Sequence, residues 1–382
     1  MNKKFLFLLL SFFSLLFASC SHSDDPEPDT PQTSAKSVFV FMPYTGNKNG
    51  GNSLYKNLLI NLRDMERAIV KDKGLGNASL VAFISQDART SRLISISYAK
   101  GKCVRDTLKT YTNYDYTSTD GLTSVIADMK RFAPADVYSL IVGCHGEEWL
   151  PASTYLKFFG GLRFPIEISN LAAGIRNNGI KMQYILFDDC YMSSIEVAYD
   201  LRGATDYLVA STSEMMDYGM PYYRIMHQLL ALTPDWQVVC DEFLDFYKSY
   251  RMPYGTIGVT DVNYVDDAAV LMKSVNASYA FNPADVEKLQ DLDVMHFEPT
   301  VYFDFGSYFK NLCSSDKVLM ADYDAVVKKL VPYKAATQYI YSYDGEATKS
   351  VSEFSGITIS DPSENPLAVD SKKLTNWWIA TH

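Results

Sequence analysis

The chain has 382 residues, of which 47% are hydrophobic and 21% charged, with 45 acidic side chains against 35 basic ones. Such a composition buries a sizeable core, which excludes a disordered chain, and the length suits one large domain or two modest ones. The net charge of −10 speaks against nucleic acid as a partner, because that binding rests on neutralising phosphates.

Lys3 and Lys4 form a basic start, and Phe5 to Phe17 an apolar run too short to span a membrane comfortably. Phe17-Ala18-Ser19-Cys20 then puts small residues before a cysteine, as at a bacterial lipoprotein processing site. Residues 1–19 therefore read as a lipoprotein signal peptide and Cys20 as the lipidated first residue of the mature chain. An ordinary signal peptide cut nearby is the alternative. Residues 20–36 are polar and proline-rich, a flexible tether. Its acidic start is similar to the signal that sends some lipoproteins of Gram-negative anaerobes to the outer surface. The expected place is the cell envelope, as a surface-exposed outer-membrane lipoprotein that meets the membrane through its lipid alone.

Ser37 to Pro43 is a continuous apolar run, as expected of a strand buried on both faces. A glycine-rich loop follows, and then a helix with Leu54, Leu58, Leu62, Met65 and Ile69 on one face. Leu80 to Ile84 is a second buried strand, and Leu93 to Ser97 with Val104 to Tyr111 an antiparallel pair turning near Gly101. Asp120 is placed to cap a helix carrying Leu122, Val125, Ile126 and Met129. Val137 to Gly143 is the third buried strand. Pro165 opens a helix that closes at Asn177-Asn178-Gly179. Two more strands, Tyr184 to Phe187 and Tyr207 to Ala210, flank a helical pattern of Met192, Ile195, Ala198 and Leu201. This alternation predicts an α/β fold over residues 37–264, with a mostly parallel central sheet flanked by helices. Past Tyr264 it fades. Helical stretches at Ala268–Met272, Val286–Leu292 and Tyr323–Leu330, with short strands at Tyr339–Tyr341 and Gly356–Ile359, read as a C-terminal α/β subdomain over residues 265–382.

Two of the strands stop abruptly at a reactive residue. One runs through Phe187 into Asp188-Asp189-Cys190, the other through Val142 into Cys144-His145-Gly146. The carboxyl end of a strand is where α/β folds put their chemistry. A following helix would aim its N-terminus at the Cys190 sulfur and favour thiolate; a small buried side chain is the plainer reading. In a parallel sheet both strands end on one edge, so His145 and Cys190 approach despite their separation in sequence. Alternation turns Cys144 into the core. Gly146 lets the backbone come close to a substrate, and its N–H with that of Cys190 forms a candidate oxyanion hole. The other histidines compare poorly: His22 lies in the tether, His227 in a helix, His296 in a polar stretch, and His382 ends the chain. Six cysteines (Cys20, Cys103, Cys144, Cys190, Cys240, Cys313) contain no Cys-x-x-Cys pair, so neither a zinc site nor a disulfide framework is indicated. No metal and no cofactor is expected, with calcium dependence left open. Gly-x-Ser-x-Gly and His-Glu-x-x-His are both absent, which argues against a serine hydrolase and a zinc protease.

Strand-His145-Gly146, then Phe187-Asp188-Asp189-Cys190-Tyr191-Met192-Ser193-Ser194, then Asp206 to Ser211 and Gly219-Met220-Pro221-Tyr222, resemble the clostripain family of cysteine peptidases. The resemblance implies a caspase-like fold, Cys190 as nucleophile, His145 as general base, and cleavage after arginine or lysine. It departs in one place, since the family normally has Asp-Ala-Cys where this chain has Asp188-Asp189-Cys190. Asp188 and Cys190 are two apart in an extended segment and project to the same side. The Asp188 carboxylate could therefore bind the cation of an arginine or lysine before the scissile bond. Asp217 is a second candidate pocket acid, a solvated loop charge its alternative. Asp189 points away from the sulfur, into a capping role, and Glu147 and Glu148 belong to a surface loop. The resemblance also implies self-cleavage between the two strands, with Lys157 favoured over Arg163, Arg176 and Lys181. The leading expectation is a cysteine endopeptidase acting on proteins or peptides with a Cys-His dyad. The alternative is an inactive peptidase-fold surface lipoprotein that binds a protein partner.

Overall fold

The computed structural model describes residues 33–46, 54–146, 159–161, 164–293, 297–343 and 346–382. The signal peptide, Cys20, Glu147, Glu148, Lys157, Arg163 and His296 lie outside the described residues.

Gln32–His382 form one compact unit. Its elements in chain order begin with β1 (Ser34–Met42), α1 (Tyr55–Lys71), β2 (Ala78–Ser85), β3 (Thr90–Ala99), β4 (Lys102–Thr112), α2 (Thr119–Phe132) and β5 (Ala135–Gly143). Short strands β6 (Phe159–Gly161) and β7 (Phe164–Ile166) precede α3 (Ile168–Asn177), β8 (Met182–Asp188), α4 (Ile195–Asp200) and β9 (Thr205–Ala210). Then come α5 (Tyr222–Leu230), α6 (Trp236–Ser249), β10 (Thr256–Asp261), α7 (Val265–Asn276), β11 (Phe303–Asp304), α8 (Phe305–Cys313) and α9 (Lys317–Leu330). The chain closes with β12 (Tyr333–Ala336), β13 (Tyr339–Ser342), β14 (Ala347–Ser350), β15 (Thr358–Ile359) and α10 (Asn376–Thr381).

Nine strands form the central sheet in the order β12-β10-β9-β8-β5-β1-β2-β3-β4. The inner five, β9-β8-β5-β1-β2, run parallel, and β3–β4 on one side and β10–β12 on the other join antiparallel. Strand alternation divides the core into two layers. Phe39, Phe41, Val81, Phe83, Val142, Ile185 and Phe187 face α2, α3, α4 and α7. Val38, Val40, Met42, Ile141, Tyr184 and Leu186 face α1, α5 and α6. Both faces are covered, which is why these strands read as unbroken apolar runs.

Several boundaries differ from the sequence expectation. The first strand starts at Ser34, inside the expected tether, because Lys36 is buried: its ammonium donates to Gln183 Oε1 at 2.7 Å and to the Ala231 carbonyl at 2.6 Å. Ser118, not Asp120, caps α2, its hydroxyl accepting from Gly121 N–H at 3.2 Å. Pro165 pairs within the β6–β7 hairpin and α3 starts at Ile168. The helix expected over Val286–Leu292 is a 3-10 turn at Pro283–Lys288. The C-terminal third supplies β12 to the central sheet, and α10 packs on α7 and α4.

Candidate active site

The register of the parallel sheet sets the site. Gly143 on β5 is aligned with Asp188 on β8, so His145 and Cys190 each lie two residues past the last paired position, on neighbouring strands at one sheet edge. Both line a cavity of about 690 Å³. Beside them, Cys144, Asp188 and Asp189 at the same strand ends line it, and further wall comes from the start of α1 (Asn57, Leu58, Asn61), the segment after β9 (Glu214 to Asp217, Gly219), the turn after α6 (Arg251, Met252), and Tyr341 and Tyr343 of the β13 hairpin.

Cys190 is half-buried. Its sulfur accepts from Met215 N–H at 3.3 Å, with the Met215 carbonyl 3.8 Å away. The helix expected straight after Cys190 is displaced: Tyr191 turns the chain with φ of 60°, and Tyr191 and Ser193 N–H pair with the carbonyls of Ser213 and Ser211. Only then does α4 begin, capped by the Ser194 hydroxyl on Val197 N–H at 3.2 Å. The N–H aimed at the sulfur is thus that of Met215, not of a helix terminus.

His145 sits in a short antiparallel bridge with Gly160, the two exchanging N–H···O bonds of 3.3 and 2.9 Å. Burial lowers its imidazole below the ordinary value, which favours the neutral ring. Gly146 nests against the segment that follows β8, since a Cβ there would fall 2.5 Å from the Cys190 carbonyl. Only glycine permits that approach.

The two acids at the end of β8 face different partners. Asp188 is buried at the cavity base, accepting from Met220 N–H at 2.7 Å and the Asn61 amide at 2.8 Å, with the Tyr222 hydroxyl beside it. Burial pushes its carboxyl up to about 7. Gly219, at φ of +73°, leaves room for that carboxylate where any side chain would strike it. Asp189 turns away from the sulfur, as alternation requires, but caps nothing. It accepts from Cys144 N–H at 2.6 Å and the Cys144 thiol at 3.3 Å, and burial pushes it up to about 8. Cys144 itself is in the core. Asp217 lines the cavity and carries an ion pair to Arg251 at 3.1 Å. Sequence reasoning missed Asn61, Met215 and Arg251. Each reaches the site from an element whose own pattern, apolar or solvated, gave no sign of it.

The other thiols divide by burial. Cys144, Cys240 and Cys313 are buried and Cys103 half-buried, and none of these or Cys190 forms a disulfide. Among the described residues no group of three or more His, Cys, Asp or Glu is arranged to hold a metal ion. No helix among them is long and apolar enough to cross a membrane.

The family model of the clostripain family (peptidase C11) matches residues 48–366. The chain belongs to the clostripain family of cysteine peptidases. Solved clostripain-type structures agree. A secreted C11 cysteine protease from Bacteroides thetaiotaomicron, "iotapain", is 40% identical with a TM-score of 0.86, over 92% of this chain and 100% of that one. An inactive zymogen C11 protease from Parabacteroides distasonis is 27% identical with a TM-score of 0.79, over 92% and 99%. A clostripain from Bacteroides thetaiotaomicron, in complex with the peptide inhibitor BTN-VLTK-AOMK, is 47% identical with a TM-score of 0.56, over 59% and 99%. Among curated proteins none is matched. The caspase-like layered fold implied by the sequence motifs is therefore the fold of this clostripain relative, and its activity class is cysteine-type endopeptidase.

Proposed function

We propose that the chain cleaves polypeptides after arginine or lysine, with Cys190 as nucleophile and His145 as general base. The observation that carries this is the in-register ending of β5 and β8, which brings both residues to the wall of one cavity. His145, neutral at physiological pH, takes the thiol proton as sulfur attacks the scissile carbonyl. The same ring then gives that proton to the departing amine, and water releases the thioester. Met215 N–H, aimed at the sulfur, favours the anionic form. Gly146 and Cys190 N–H are the proposed donors to the oxyanion. Asp188 at the base and Asp217 at the rim supply charge for the basic side chain. The secreted relative supports export, and the proposed route is processing at Cys20 with anchorage in the outer membrane.

Cys190→Ala is the direct test. It should lower release of the leaving amine from arginyl and lysyl substrates by at least about a thousandfold while the protein folds normally. Unchanged turnover would remove Cys190 from the mechanism.

The solved inactive zymogen favours one second reading, in which this chain too is held silent until processed. Labelling by a basic peptidyl electrophile separates the two: an open site alkylates Cys190 at once, a zymogen only after proteolysis.

A further inference from the structure

Asp217 stands at the cavity rim, and a cation already rests on it. Arg251, in the turn after α6, places Nη2 3.1 Å from Oδ2 and 3.4 Å from Oδ1 of that acid. Tyr250 donates its hydroxyl to Oδ1 at 3.0 Å, and Arg251 Nε lies 3.4 Å from that hydroxyl. The Asn57 amide holds the backbone of the acid through its carbonyl at 2.6 Å. The acid is therefore fixed in place, and the group upon it is the one an arginyl substrate would present.

We propose that Arg251 is a built-in competitor for the basic side chain of the substrate, occupying Asp217 in the empty cleft and leaving when a substrate cation arrives. The inference rests on the reading of Asp217 as a substrate-binding acid. Exposure decides how the competition works. The side chains of Arg251 and Asp217 are 70% and 54% exposed, so the pair is weakly held and the guanidinium can swing into water. A buried pair would shut the pocket; this one only raises the concentration of substrate needed to fill it. Displacement weakens the ground-state and transition-state complexes alike, so it belongs in KM and not in kcat. It applies equally to arginyl and lysyl substrates. A neutral side chain has no reason to displace the guanidinium and escapes the effect.

The test measures kcat and KM for matched arginyl, lysyl and glutaminyl peptides, with active sites titrated by alkylation. Arg251→Ala should lower KM for both basic peptides by about two- to fivefold, leave the glutaminyl peptide unmoved, and do nothing in a D217N background. Arg251→Lys, which keeps a cation, should hold KM near the parent value. If D217N raises KM for basic peptides while R251A raises it or leaves it unchanged, the competitor role is refuted and the reading of Asp217 stands. If D217N does not change KM for basic peptides, the reading of Asp217 falls and the inference falls with it.

Discussion

Asp189 ties the two halves of the site together. Its carboxyl accepts from the N–H and the thiol of Cys144, the residue before His145, so one side chain fixes the end of the histidine strand against the end of the cysteine strand. This is the residue that stands where the family resemblance expects alanine. Asp189→Ala would leave a buried N–H unpaired, a loss of about 1–3 kcal/mol in stability, and kcat should fall as His145 loosens. Asp189→Asn keeps an acceptor and should retain both properties, as thermal melts and kinetics on the two variants would reveal. Asp188 carries a second consequence at this scale. Its carboxyl, raised to about 7 by burial, is largely neutral in the empty pocket below that pH and charged above it. In the proposed pocket, a substrate cation is attracted only to the charged form. KM for arginyl peptides should therefore fall as pH rises from about 6 to about 8, and Asp188→Asn should lose the dependence along with about 30-fold or more in kcat/KM. A pH profile of KM as steep in the variant as in the parent would assign the titration elsewhere.

At the scale of elements, the parallel strands were legible because burial on both faces writes itself as unbroken apolar sequence. The candidate site edge was legible because those runs break off just before His145 and at Asp188, two residues before Cys190. What lies between elements was not. The helix expected after Cys190 is short because the chain first pairs with the segment after β9 through Tyr191 and Ser193, and a helical spacing of apolar residues does not record such a partner. Strand β10 went unread because Thr256, Gly258 and Thr260 interrupt its apolar pattern, yet Gly258 is where the Gly356 carbonyl packs close. The β13–β14 hairpin matters most for function among these late elements. Tyr341 stacks on Tyr254 at 5.4 Å, Tyr343 N–H donates to Glu214 at 2.9 Å, and both tyrosines line the cleft. Tyr341→Ala should raise KM for extended peptides by about fivefold and leave single-residue substrates unaffected, a contrast that peptides of graded length would read.

Across the whole molecule, buried acids set the pH response of stability. Burial holds Asp188 and Asp361 up to about 7, and Asp189 and Glu196 up to about 8. Unfolded, each would ionise near its ordinary value, 3.8 for Asp and 4.5 for Glu. Between those limits the folded chain holds protons that the unfolded chain has released, so stability falls as pH rises through the window. His145, lowered by burial, works in the opposite sense, but only on the acid side of its ordinary value. Cys190→Ala protein, which on the proposed mechanism cannot digest itself, should melt at a higher temperature near pH 5.5 than near pH 8; a flat or rising profile would show these acids to be ionised in the folded state. The unlinked cysteines carry a different consequence. No cross-link braces the described residues, and half-buried Cys190 lines the cleft. With Cys190 as the proposed nucleophile, oxidation to the sulfenic acid would silence the enzyme without loosening the fold, and a small thiol would restore it. A reductant would then act as a reactivator, making the activity a reading of the redox state around the protein.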